Sequence, residues 1–390
     1  MKTKLLVMLA GGAMVLGGLA WMLAQRSAPT KEASPAGGKL FPEASGRLAE
    51  TSRVVISKGT ERVEVVRDAA TNLWGLSASD GYPAVEENVR KLVRGVLEAE
   101  IVEKKTAVAD LYDKIGVEEP TSEKAKGHLV SIYDAQGKSI AELIVGNRFD
   151  AANYDQDKAG TFVRPGGQAQ SYLVKGTFNL ASKPTDWLKR DVLALDASRF
   201  WKATVQQPAG ADGTPGGAVH IERASRSEEK FSLAELPADR ELFDPTVHQR
   251  LLQTLATWTL DDVRKASGVD MSGAVVGTFI TFDGVVYTTA CVKKDGKYWA
   301  TVTVSYDPSA AAPRGAGDAP LAEDHDATVK KEVEAVNAKV AGWVFQIADN
   351  KGKELSATLE SLLKPLAPDK GAPDVPAPSE PGGGVMIPPG

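Results

Sequence analysis

Four consecutive residues, Glu323-Asp324-His325-Asp326, combine three carboxylates with an imidazole, a set able to ligate a divalent cation. They stand just before Val329, Val333, Val336 and Val340, which share one helical face. Acids favour the first turn of a helix, so the run reads as a capped helix start rather than a metal site. The stretch from Asp150 through Asn153 and Asp155 to Asp157 has a superficial likeness to a calcium loop. It lacks the regularly alternating ligands, central glycine and closing glutamate of such a loop, and reads as a solvated connection. The other histidines, His128, His220 and His248, are scattered over two strand-like segments and a helix. Cys291, the single cysteine, lies in an alternating apolar run and reads as a buried strand residue rather than a nucleophile. No Walker A loop, nucleophile elbow or H-E-x-x-H motif is present, and no pair of carboxylates is singled out for acid–base work. These observations imply no catalytic residue, metal or cofactor.

One connection is unusual: Asp186-Trp187-Leu188-Lys189-Arg190-Asp191. Trp and Arg are favoured anchors at protein interfaces, which makes Trp187 and Arg190 the candidate partner contacts. The competing reading buries Trp187 in a joint and pairs Arg190 with a carboxylate.

Whatever positions these residues is expected to hang from a membrane. Leu5 to Ala24 is an uncharged run carrying Leu5, Leu6, Val7, Leu9, Val15, Leu16, Leu19, Trp21 and Leu23. As a helix it would be about 30 Å long, the thickness of a bilayer core. Met22 and Arg26 spoil the small-residue pattern that signal cleavage needs, so an uncleaved anchor is expected. Lys2 and Lys4 favour a cytoplasmic N-terminus, with the bulk of the chain on the periplasmic, extracytoplasmic side of the inner membrane. Removing Lys2, Lys4 and Arg26 from the 46 basic residues leaves 43 against 51 acidic ones, a net charge of −8 beyond the anchor. With no basic run, nucleic acid is not an expected partner.

Beyond the anchor (1–26) and a Pro/Gly/Ala/Ser-rich spacer (27–45), the pattern repeats itself. A first copy (46–190) opens with alternating segments Arg53–Ile56 and Arg62–Arg67 and an aromatic segment, Leu73–Leu76. A helix follows whose stripe is Val85, Val89, Leu92, Val93, Val96 and Leu97, and then a meander of strands. A second copy (191–306) repeats the order with Trp201–Val205, Ala218–Arg223, Lys230–Phe231–Ser232–Leu233 and a helix opened by Asp244-Pro245. Asp283-Gly284 and Asp295-Gly296 mark its hairpins. A Pro/Gly/Ala loop (307–320), a closing helix–strand–helix piece (321–366) and a Pro/Gly-rich tail (367–390), too poor in large apolar residues to order itself, complete the chain. The expected class is α+β: a duplicated module of antiparallel strands with helices packed on one face, behind an N-terminal transmembrane helix.

Four segments carry a family likeness: Leu40-Phe41-Pro42-Glu43; Leu73-Trp74-Gly75-Leu76 before Gly81-Tyr82-Pro83-Ala84; the Asp186 to Asp191 connection; and Gly342-Trp343-Val344-Phe345-Gln346-Ile347 with Leu355 to Leu363. Together they resemble the bacterial DUF4340 family, a domain of unknown function, across nearly all of the exported part. The resemblance implies a membrane-anchored envelope protein associated with ABC-type transport components of the gliding-motility auxiliary type. It carries over no functional residue. The expected role is a non-enzymatic scaffold or binding protein with envelope or membrane protein partners, held to the bilayer by its anchor. A partner would add to an exposed strand edge or fill the groove between the copies. A small-ligand-binding module is the alternative, and a carboxylate hydrolase a more distant one.

Overall fold

The computed structural model describes residues 37–150, 159–181, 183–228, 230–315 and 321–365. The fold mixes helix with antiparallel sheet and is mostly β. The expected anchor, most of its spacer and the C-terminal tail lie outside the described residues. Among the described residues, no helix is long and apolar enough to cross a membrane.

The alternating segments of the first half become strands because each buries alternate side chains. In chain order they are β1 (Thr51–Lys58), β2 (Glu61–Arg67), β3 (Trp74–Leu76) and β4 (Tyr82–Pro83), then helix α1 (Glu86–Leu97) and β5 (Ile101–Lys104). The short helix α2 (Tyr112–Ile115) follows, then β6 (His128–Asp134), β7 (Ser139–Phe149), β8 (Gly160–Pro165) and β9 (Tyr172–Lys175). They form one nine-stranded sheet in the order β4-β3-β2-β1-β6-β7-β8-β9-β5. Val89, Leu92, Val93, Val96 and Leu97 of α1 are all buried, and Glu86–Arg90 and Glu87–Lys91 pair along its exposed side at 2.6 and 2.7 Å.

The second half begins with β10 (Asp191–Ala194), β11 (Phe200–Gln206), β12 (Ala218–Glu222) and β13 (Ser232–Leu233). Helix α3 (Val247–Ala256), β14 (Thr257–Thr259), β15 (Asp262–Lys265), β16 (Val275–Thr281), β17 (Val285–Lys294) and β18 (Lys297–Tyr306) come next. Helix α4 (His325–Val340), β19 (Trp343–Ile347), α5 (Asp349–Leu355) and α6 (Leu359–Leu362) end the described chain. The larger sheet here runs β13-β12-β11-β16-β17-β18-β19-β15, while β10 and β14 form a separate two-stranded ladder. Reading β13 against β3, β12 against β2 and β11 against β1, and so on to β15 against β5, the two large sheets have the same strand order.

The helix expected to open at Asp244-Pro245 begins at Val247, because Asp244 spends its carboxylate on a turn to the Thr246 N–H and hydroxyl. Trp343–Ile347, expected as the strand of the closing helix–strand–helix piece (321–366), is a strand and lies in the second sheet between β18 and β15. β19 pairs with only the first residues of β18, Tyr298 to Ala300. Further along, Asn337 of α4 takes over: its side chain accepts the Val304 N–H at 3.1 Å and donates to the Val304 carbonyl at 2.6 Å. The single helix expected over Leu355 to Leu363 is two, because Thr358 starts α6 with a capping box to Ser361.

The last part of the expected spacer is also folded. Leu40, Phe41 and Ala44 are buried in the core. Gly37 donates to the Ile101 carbonyl at 2.8 Å, Ile101 donates to Gly38 at 2.9 Å, and Lys39 bridges Glu100. Glu98, just past α1, accepts the Gly46 N–H at 2.8 Å and the Ser45 hydroxyl at 2.9 Å. These two bonds, backbone first, hold its carboxyl below the usual glutamate range despite some opposing desolvation.

One continuous apolar core joins both sheets, passing through Trp187, Leu188, Val192 and Leu193 of the connection. The sheet edges are mostly sealed by the chain itself. Gly37 to Lys39 lie along β5, and Leu188 bridges Ala84 beyond β4. On β15 the N–H groups of Val263 and Lys265 bond carboxylates, Asp262 Oδ1 at 2.8 Å and Asp80 Oδ2 at 3.0 Å.

Candidate functional site

The residues first considered for chemistry are dispersed. Among the described residues no three His, Cys, Asp or Glu side chains cluster to hold a metal. The acidic run does start a helix, the Asp324 carbonyl accepting the Thr328 N–H at 2.9 Å, but the expected side-chain cap is not formed at Asp324, and Asp326 accepts the Tyr306 hydroxyl at 2.7 Å. Residues 151–158 of the acidic loop lie outside the described residues, and Asp150 pairs with Arg148 at 2.6 Å. His128 is half-buried, which pushes its imidazole below the ordinary range, with the Lys58 charge adding to the effect. His220 is bound to Glu235 through both its backbone N–H, at 2.9 Å, and its ring. His325 opens α4. Cys291 is buried beneath α5, where Ser356 donates to its sulfur at 3.5 Å. Burial pushes the thiol up to about 11, so a thiolate nucleophile is disfavoured at neutral pH.

The two candidate contact residues are engaged within the chain. Trp187 is only 1 % exposed, and its indole N–H donates to the Ala181 carbonyl at 2.9 Å. Arg190 donates through Nε to the Leu260 carbonyl and through Nη2 to Asp261 Oδ1, both at 3.0 Å. Trp187 is thus spent on the joint, and its ring has no surface to offer a partner. Arg190 remains half-exposed while it ties the connection to β15's approach.

What this joint creates is a cleft of about 870 Å³ between the first sheet's β3–β4 end and the second sheet's β15–β19 edge. Its floor is aromatic: Trp74 and Tyr82 are buried beneath it and Trp343 is partly exposed. The Tyr82 ring meets Trp343 edge-on at 5.0 Å and Phe345 at 6.0 Å, a preferred geometry for aromatic pairs. Desolvation pushes the Tyr82 phenol up to about 12. Lys265 Nζ sits 3.7 Å from the centre of the Trp343 ring. Asp80, in the left-handed region at φ 53°, turns its carboxylate onto the Lys265 N–H. The connection closes the back of the cleft: Val85 N–H donates to the Trp187 carbonyl at 2.8 Å and Lys189 N–H to Pro83 at 3.1 Å. Leu73 and Val66, 52 % and 38 % exposed, extend the apolar surface at the mouth.

The charged groups around this floor fall into two classes. The acids of the first sheet's wall are already engaged. Asp68 accepts the N–H groups of Ala70 and Thr71 and the Thr71 hydroxyl, Asp80 holds β15, and Glu86 pairs with Arg90. The lysines are not: among the described residues Lys189, Lys265 and Lys339 have no carboxylate partner, and all three are exposed. Asp191 is the one lining acid in the same position. Sequence inspection found the aromatic residues as packing motifs. It missed the lysines, which come from the connection, β15 and α4 and carry no local signal.

A profile described as DUF4340, a domain of unknown function, matches residues 74–272, just over half of the chain. The chain belongs to the DUF4340 family. The matched stretch of this DUF4340 protein runs from β3 across the connection to just beyond β15, and includes Trp74, Tyr82, Lys189 and Lys265 of the cleft. No curated protein and no solved structure matches the chain.

Proposed function

We propose that this DUF4340 protein is a membrane-anchored, extracytoplasmic scaffolding and binding protein that holds its partner in the cleft between its two large sheets. Two modes were open to such a protein, strand addition and groove binding. The cleft carries the proposal, because three of the four outer edges of the large sheets, those of β5, β4 and β15, are occupied by the chain's own backbone or carboxylates, and the fourth, β13, is only two residues long. The shared strand order supports an internal duplication, which would place the cleft at the seam between copies.

The tether is the second component. An anchor at Leu5 to Ala24 leaves residues 27–36 as spacer before the folded segment at Gly37. Ten extended residues reach at most about 35 Å, so the body stays close to the bilayer and its membrane partners at high effective concentration. A role as accessory to an ABC-type transport assembly in the inner membrane, facing the periplasm, fits this arrangement and rests on the family likeness. The test is photocrosslinking in intact membranes from a reactive side chain at Ala338, which is exposed and lines the cleft. A discrete adduct from Ala338, absent from a control position at exposed Glu123, is the expected result. Adducts from neither position, or equally from both, would count against it.

A further inference from the structure

The inventory of free groups in the cleft points to the chemistry of its occupant. We propose that the cleft takes an extended acidic peptide segment of a partner protein, its apolar side chains on Trp343, Leu73 and Val66 and its carboxylates toward Lys189, Lys265 and Lys339. This rests on the cleft being the binding surface, and it adds the class of partner.

Three observations combine. First, the three lysines surround the floor from three separate elements and lack anionic partners, whereas three of the four lining acids are hydrogen-bonded or ion-paired within the chain. An anionic ligand therefore gains charge-assisted contacts without breaking existing ones. Second, Lys265 is stacked on Trp343, which keeps its ammonium at the floor where a carboxylate beside an apolar side chain would meet it. Third, the apolar surface does not end inside the cavity. Leu73 and Val66 continue it outward, so the surface is a strip suited to a chain with repeated apolar side chains rather than to a single enclosed group. Asp191, free beside the connection, limits how many carboxylates the segment presents there.

The probe is a dye-labelled, blocked hexapeptide of alternating glutamate and leucine, compared with the same peptide carrying lysine for glutamate. Binding to the full chain in mild detergent is followed by fluorescence anisotropy. The acidic peptide is expected to bind and the basic one not to. Lys189→Glu and Lys339→Glu, at exposed positions, should each weaken binding by about threefold or more, and added salt should weaken it further. Equal binding of the two peptides, no binding of the acidic one, or binding indifferent to both reversals would overturn the acidic assignment. If the Ala338 crosslink persists while the peptides fail, only the class of partner falls. If the crosslink also fails, the cleft itself is not the binding surface.

Discussion

Replacing Tyr82 with leucine tests whether the two sheets form one cooperative body around the cleft. Tyr82 is 4 % exposed, and its ring makes edge-on pairs with Trp343 at 5.0 Å and Phe345 at 6.0 Å, both from the other sheet. Such pairs contribute about 0.5–1.5 kcal/mol each beyond area burial. Tyr82→Leu keeps an apolar side chain in place but removes both pairs, so a loss of about 1–3 kcal/mol is expected. Trp343→Leu removes one of the same pairs. The double variant should therefore be less destabilised than the sum of the singles by about 1 kcal/mol, well above the 0.3–0.5 kcal/mol scatter of roughly additive sites. The assay is urea unfolding of the full chain in mild detergent, followed by circular dichroism, with the four proteins compared at constant slope. Strict additivity, or two separate transitions in which Tyr82→Leu moves only one, would refute the idea that the sheets are locked across the cleft.

Other expectations follow from individual contacts. Asn337→Ala removes two bonds to the nearly buried Val304 backbone and leaves both its groups unpaired, costing about 2 kcal/mol in the same unfolding assay; a change below 0.5 kcal/mol, roughly the level of an ordinary surface substitution, would contradict the edge-capping role. Cys291 should resist maleimide at neutral pH until denaturant is added, because its thiol is buried and pushed up to about 11; rapid labelling of the native chain would show the site is open. Acid should loosen α4, since Arg199 joins Asp283 at 2.9 Å to Glu332 at 2.6 Å. Burial alone would raise the Asp283 carboxyl, but the Thr281 hydroxyl and the Arg199 charge outweigh it and lower the folded value. That contribution is complete above the unfolded carboxylate range, about pH 4, and is lost as pH falls through the lower folded value. Hydrogen-exchange protection in α4, taken relative to the intrinsic rate at each pH, should thus fall in acid for the native chain, and Asp283→Asn should remove that part of the pH dependence; an unchanged pH dependence would contradict it.

Much of the architecture was legible because it is written in local periodicity. The stripe from Val89 to Leu97 and the turns at Asp283-Gly284 and Asp295-Gly296 report on their immediate neighbours, and the structure has a helix and hairpins there. The second sheet's last strand was legible as a strand but not in its place. Nothing near Trp343 states that it pairs with β15, some eighty residues earlier. Leu40 and Phe41 were visible as part of a family motif, but the glycines and prolines around them resemble spacer and gave no sign that the two side chains are buried in the core. For the cleft the limit is different in kind. Trp74, Tyr82 and Trp343 were visible as packing residues, but the cleft exists only because the buried Trp187 joint brings two sheet ends together. Lys189, Lys265 and Lys339 are ordinary exposed lysines until tertiary structure gathers them, so sequence pattern alone had no means of selecting them.

The most direct test of the account fills the cleft and leaves the fold alone. Ala338 is exposed on α4 at the cleft wall, so Ala338→Trp introduces bulk there without displacing a buried side chain. The two proteins would be purified from membranes in gentle detergent after matching circular dichroism and thermal midpoint. The account predicts that a partner recovered with the native chain is lost with Ala338→Trp. Undiminished recovery with the cleft filled would contradict it.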